Sequence, residues 1–132
     1  NVYNALAAAA ASLLVGVQPE QIAKGLADFH GAKRRMERKG SLGGAEIYDD
    51  YGHHPDEIKA TLKGARQMGY ERVLCAYQPH TYSRTAGLLR EFAEALGEAD
   101  RVFMVDIYAA REQNVYGVSS EQVADMTAEM RL

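Results

Sequence analysis

AEIYDDYGHHPDEIKATLKGARQMGYERVLCAY, residues 45–77, joins an apolar run, a polar turn, an amphipathic stretch and a second apolar run. AEIYDD, 45–50, predicts a strand, and PDEIKATLKGARQMG, 55–69, predicts a helix with Ile58, Leu62 and Ala65 on one face. RVLCAY, 72–77, is continuously apolar, as a strand buried on both faces is. The rhythm continues downstream. TAGLLREFAEALG, 85–97, spaces Leu88, Leu89, Phe92, Ala93 and Leu96 helically and closes on Gly97. RVFMVD, 101–106, reads as another buried strand, and SSEQVADM, 119–126, opens a helix with Ser119 and Gln122 spaced as a capping box. Strands alternating with helices predict βαβ units and an α/β fold with a mostly parallel sheet and flanking helices.

Upstream the pattern differs. Residues 1–15 predict an Ala- and Leu-rich helix ended by Gly16, and residues 18–29 a second helix with Pro19 near its start. HGAKRRMERKGSLGG, 30–44, is basic, contains glycine and shows little apolar periodicity, so it reads as a linker at a domain boundary. The expected division is a helical segment over 1–32 and an α/β domain over 33–132. The first residue is Asn1 rather than Met, and Met130-Arg131-Leu132 falls inside a helical pattern without a C-cap, which reads as a piece of a longer chain with a truncated sheet.

Composition narrows the function classes. The 132 residues are 47% hydrophobic and 25% charged, with net charge −3, ordinary for a globular domain. Nothing in that balance points to a nucleic-acid or membrane surface. No apolar run is long enough to span a bilayer. Cys75 is the single cysteine, so no intrachain disulfide forms, and it reads as a buried, inert thiol in a chain suited to a reducing cytoplasm.

In open α/β sheets ligands bind beyond the carboxyl ends of the strands. The loops leaving those ends are DDYGHHP (49–55), QPHTYSRT (78–85) and DIYAAREQNVYG (106–117), and they hold three of the four histidines together with Arg84 and Arg111. The opposite loops, MGYER (68–72) and GEADR (97–101), are short and bland. This asymmetry marks one sheet edge as a candidate site. Asp49, Asp50, His53, His54 and His80 invite a metal reading. Adjacent histidines on a turn diverge, however, and no HxH or HExxH spacing occurs. Pro55 instead suits the first position of a helix, with His54 near its cap. Asp50 stands where a strand-end carboxylate accepts ribose hydroxyls, and equally where an acid stabilises a helix dipole; spacing does not separate the two. Arg34 and Arg35 suit phosphate, but alone read better as a solvated linker. Asn1 and Asn4 share a helix face and suit an adenine edge, or Asn1 caps the helix. Arg84 suits a carboxylate, while Ser83 or Thr85 reads as a cap rather than a nucleophile. No GxxxxGK[ST] phosphate loop is present.

The motifs NVYNALAA, AKRRMERKG, DDYGHHPDEI, QPHTYSRT and DIYAAREQ…GVSS run in one order along essentially the whole chain. In that set and order the chain resembles the Mur ligase family. The resemblance implies an ATP-dependent amide-forming enzyme of three domains, of which this chain holds the last helices of the central ATP-binding domain and most of a Rossmann-like carboxyl-terminal domain. The implied reaction proceeds through an acyl phosphate. Its implied partners are ATP, UDP-N-acetylmuramate and L-alanine, with Mg2+ held in the central domain outside this chain. The GHHP ending suggests the alanine-adding member, and the member that recycles murein tripeptide has a similar turn. A non-catalytic metal- or nucleotide-binding α/β module is the alternative from a different class.

The roles implied by matching motifs are specific. Asn1 and Asn4 contact adenine, Arg35 approaches the ATP phosphates and Asp50 binds ribose. Tyr51, His53, His80 and Arg84 line the pocket for alanine and the lactyl group. His53 or His80 takes the ammonium proton. Thr81 stands where some members carry arginine, which removes one guanidinium from that pocket.

Overall fold

The structure is a computed structural model, and residues 2–130 are described. The chain divides into two compact units, Asn1–Tyr48 and Asp49–Leu132.

The first unit holds helices α1 (Val2–Leu14) and α2 (Pro19–Ala27) and strands β1 (Glu37–Leu42) and β2 (Ala45–Asp49), the last ending one residue past the division. α1 ends as expected at Gly16, with a left-handed φ of 85°. Its N–H donates to the Leu13 carbonyl at 3.0 Å, and the Val17 N–H donates to the Ser12 carbonyl at 3.0 Å. That is the Schellman pattern, in which two terminal carbonyls find donors because glycine turns left. Neither helix buries a residue fully.

β1 lies in the segment read from sequence as linker. Gly43 and Gly44 both have positive φ, 57° and 85°, as a two-residue hairpin turn requires. β2 therefore pairs with β1, and the expectation that residues 45–50 open the parallel sheet gives way to this hairpin. Arg38 and Glu46 form an ion pair across it.

The second unit contains α3 (Pro55–Gln67), β3 (Leu74–Tyr77), α4 (Tyr82–Gly87), α5 (Leu89–Leu96), β4 (Arg101–Met104) and α6 (Ser120–Glu129). β3 and β4 are parallel, with Leu74 opposite Arg101 and Tyr77 opposite Met104. This is the expected α/β arrangement in a small parallel pair. The helix expected over 85–97 starts earlier and breaks at Leu88, directly after Gly87. α6 carries the expected box, with the Ser119 hydroxyl accepting from the Gln122 N–H and the Gln122 side chain accepting from the Ser119 N–H.

Ile58 and Leu62 of α3, Tyr77 of β3, Phe92 and Leu96 of α5 and Val123 of α6 meet in one core. Cys75, Val102 and Met104 pack against it. Their neighbours point the other way: Leu74, Phe103 and Val105 are 55%, 52% and 53% exposed. The strands read as buried on both faces thus bury one. Alternation along a pleated strand sends every second side chain to the helices, and α3, α5 and α6 all serve the same core.

The edge read as bland is stitched. Arg66 donates to the Glu98 carbonyl at 3.0 Å and to Asp100 at 2.8 Å, and Asp100 accepts the Val73 N–H at 2.6 Å. Asp100 holds the Arg66 pKa above its ordinary value.

Candidate functional site

The turn after β2 organises itself. Asp50 Oδ1 accepts the Gly52 N–H at 2.8 Å, a side-chain-closed turn for which aspartate is suited. Glu57 Oε2 accepts the N–H groups of His53 and His54 at 3.0 and 3.2 Å. His54 caps α3, its Nδ1 accepting the Asp56 N–H at 3.4 Å, and Pro55 takes the first helical position as expected. Gly52 has no positive φ; the room its missing Cβ leaves is taken by the Asp50 carboxylate. A Cβ there would lie 2.9 Å from Asp50 Oδ1.

Tyr51 and His53 meet edge to face, with ring centroids 5.4 Å apart. His53 Nδ1 lies 3.1 Å from the Tyr51 carbonyl oxygen. A carbonyl only accepts, so Nδ1 is the donor in that bond, and the same nitrogen lies 3.4 Å from Glu57 Oε2.

The turn after β3 is held from a distance. Beyond the end of β3, the Val105 N–H donates to the Tyr77 carbonyl at 3.0 Å, and the Tyr108 N–H to the Pro79 carbonyl at 2.9 Å. The Thr81 N–H then donates to the Tyr108 carbonyl at 2.9 Å. This zipper stacks the His80 ring on Tyr108 at 5.1 Å. His80 Nδ1 is buried and has no hydrogen-bond partner among the described residues, and the Tyr77 hydroxyl shares that condition. Burial pushes the Tyr77 hydroxyl well above its ordinary pKa, and the positive charge of Arg84 acts against the shift. Arg84 sits half-buried in the first turn of α4.

Thr81 has φ 71° and ψ 142°, a conformation that a β-branched residue rarely adopts. It occupies the cap position of α4 without a side-chain cap bond. Ser83, read as a cap, instead donates from Oγ to Glu112 Oε1 at 2.6 Å and from its N–H to Oε2 at 2.8 Å. The serine hydroxyl, then the serine N–H, hold the Glu112 carboxyl below its ordinary range. Thr85, the other cap candidate, is fully buried and donates to the Thr81 carbonyl at 2.7 Å. Glu112 and Tyr108 carry no sequence signal for these contacts, since no spacing ties residues 83 and 112 together.

The remaining candidates lie in the first unit. Asn4 is exposed on α1, and Asn1 lies outside the described residues. Arg35 is exposed between Arg34 and Met36, whose φ values of 56° and 47° are both left-handed. Its N–H donates to the Ala32 carbonyl at 3.2 Å, and Glu37 takes the Arg34 N–H at 2.8 Å. Two left-handed non-glycine residues around one arginine are the kind of backbone strain that gathers at binding sites. Among the described residues no group of three His, Cys, Asp or Glu side chains is placed to hold a metal ion. No helix there is long and apolar enough to cross a membrane.

A parallel strand pair with a strained His–Arg turn at one exit, fastened to the loop at the other, is an α/β arrangement suited to holding a ligand. The family model described as "Mur ligase, glutamate ligase domain" matches residues 34–131, and the chain belongs to the Mur ligase family. It is 51% identical over 129 residues to the UDP-N-acetylmuramate–L-alanine ligase of Agathobacter rectalis, which covers 98% of this chain and 28% of that protein. The enzyme of the same name from Caldicellulosiruptor bescii is 51% identical over 123 residues, 93% of this chain and 27% of that protein. The chain thus spans little more than a quarter of these relatives. Among solved structures, the UDP-N-acetylmuramate–alanine ligase of Thermotoga maritima superposes with TM-score 0.79 at 27% identity, over 98% of this chain and 27% of that one. A murein peptide ligase from Psychrobacter arcticus superposes with TM-score 0.62 at 30% identity, over 97% of this chain and 26% of that one.

Proposed function

We propose that this chain is the carboxyl-terminal part of a cytoplasmic, ATP-dependent ligase that joins L-alanine to UDP-N-acetylmuramate in building peptidoglycan precursors. The observation that carries this reading is likeness along nearly the whole chain to alanine-adding ligases, at 51% identity over 98% of its length. The fold supports the same choice, with TM-score 0.79 to an alanine ligase against 0.62 to a murein peptide ligase. In this reading residues 1–32 are the last helices of the ATP-binding central domain and 33–132 belong to the carboxyl-terminal domain.

The reaction transfers the γ-phosphoryl group of ATP to the lactyl carboxylate of UDP-N-acetylmuramate. The alanine amine attacks the resulting acyl phosphate, and inorganic phosphate leaves as the amide forms. The work of these residues is positioning. Asn1 and Asn4 would read the adenine edge, Arg35 would approach the phosphates and Asp50 would accept a ribose hydroxyl with the carboxylate that also closes its turn. Arg84 would grip the alanine carboxylate in two parallel hydrogen bonds, beside Tyr51. His53, through Nε2, or His80 would take the proton the amine gives up. Holding amine and acyl phosphate together lowers such a barrier by up to roughly 7–11 kcal/mol. Mg2+ would supply charge neutralisation at the phosphates from the central domain, and no described residue cluster here is built to hold it.

Phosphate release by the full-length enzyme, with ATP and UDP-N-acetylmuramate present, tests the reading. L-Alanine should support turnover and murein tripeptide should not. Turnover with tripeptide alone would assign the recycling activity instead.

A further inference from the structure

Among the contacts at the sheet edge, one carboxylate stands out for what it holds rather than for what it offers a ligand. Glu112 reaches from the loop after β4 to Ser83, takes both its hydroxyl and its N–H, and so engages the first turn of α4 with both oxygens. Two residues earlier, Thr81 holds its left-handed backbone, and one residue later stands Arg84. The Thr81 N–H is fastened to Tyr108 of the same downstream loop, and the Thr81 carbonyl accepts both the N–H and the hydroxyl of Thr85. A backbone conformation that a threonine resists persists only where its surroundings over-determine it. Here those surroundings are the downstream loop and the buried Thr85.

We propose that Glu112 is a positioning residue for amino-acid binding: it locks the loop after β4 onto the turn after β3, and so fixes where Arg84 and His80 stand. This rests on the ligase reading for the identity of the amino acid, but not for the lock itself. Ser83 carries one of the two bonds through its hydroxyl and the other through its backbone, so the two side chains form a single unit. Removing either should weaken the lock, and removing both should cost no more than losing Glu112 alone.

The test uses the full-length enzyme and four variants, Glu112→Ala, Glu112→Gln, Ser83→Ala and the Glu112→Ala/Ser83→Ala double variant. Glu112→Ala should raise the alanine KM about tenfold, the loss of charge-assisted bonds at a positioning turn. The ATP KM should change less than about twofold, because the residues proposed to hold the nucleotide take no part in the lock. Ser83→Ala should raise the alanine KM about threefold, since it retains the backbone bond. Glu112→Gln should recover part of the loss, because its amide oxygen still accepts the Ser83 N–H. Amide exchange at residues 81–84 should quicken in Glu112→Ala, a readout that needs no substrate. An unchanged alanine KM with unchanged exchange overturns the lock. Equal rises in both KM values, with a lowered melting temperature, overturn the positioning role and leave a structural one. If unmodified enzyme fails to use alanine, the ligase reading falls, and the exchange experiment still decides the lock.

Discussion

The two turns that carry the candidate site are built in opposite ways. Residues 49–55 are closed by local bonds, between residues no more than four apart, from Asp50 to Gly52 and from Glu57 back to His53 and His54. Residues 78–85 are shaped from elsewhere, by Tyr108 and by Glu112, which is 29 residues from Ser83. The first turn uses residue types that favour its geometry, an aspartate, a glycine and a proline. The second puts a threonine where glycine would be at ease and compels it by packing. A self-contained turn presents a fixed group wherever it travels. A turn held by its neighbour is set only when that neighbour is in place.

Substitutions can break this contrast at either end. Among substitutions that reshape a turn without removing a ligand group, Gly52→Ala should have the largest effect, since the new Cβ would sit 2.9 Å from Asp50 Oδ1, the atom that closes the turn. In full-length enzyme it should raise the ATP KM by about tenfold, the cost of displacing one charge-assisted contact, and the alanine KM by less, through Tyr51 and His53 on either side. An ATP KM that does not move would mean that Asp50 tolerates displacement and that the local turn is not what orders it.

Thr81→Gly should act in the other direction. It relieves a strained backbone at about 1–3 kcal/mol and gives back roughly 0.5–1 kcal/mol in unfolded-chain entropy. The net expectation is a stabilisation of about 1 kcal/mol, read by thermal or denaturant unfolding. A loss of stability would show that the threonine side chain, rather than the long-range bonds, holds the second turn.

The smallest effect belongs to Cys75, on the strand that feeds the second turn. Burial pushes its thiol up to about 11. The folded pKa is raised above the unfolded value of about 8.5, so the stabilising preference for the neutral thiol is fully present below that value. It is lost as pH climbs from there towards about 11. Thiol-specific reagents should label the native chain slowly at pH 8 and rapidly once it is unfolded. Rapid native labelling would contradict a closed core beneath this turn.

The same contrast explains what could be read from sequence. Gly16, His54-Pro55 and the Ser119–Gln122 box are local signals, and each marks the helix end it was expected to mark. Gly43-Gly44 is equally local, but the basic, aperiodic stretch before it hides a strand; the glycine pair itself is the hairpin signal. β2 consequently pairs with β1 rather than with the parallel strands. The open face of β3 and β4 was illegible because an unbroken apolar run looks the same whether one or two layers cover it. Glu112 was illegible for a different reason. Its partner is distant in sequence, and only the parallel register of β3 and β4 brings their exit loops side by side.

A crossed kinetic measurement on the full-length enzyme tests most directly whether Asp50 of the first turn and Arg84 of the second serve different substrates. Asp50→Ala and Arg84→Ala are compared for their KM values towards ATP and L-alanine. Arg84→Ala should raise the alanine KM by about a hundredfold, as truncating one partner of a charged pair does, with ATP little affected. Asp50→Ala should raise the ATP KM and spare alanine. Two variants that raise both KM values alike would contradict the division of substrates between Asp50 and Arg84.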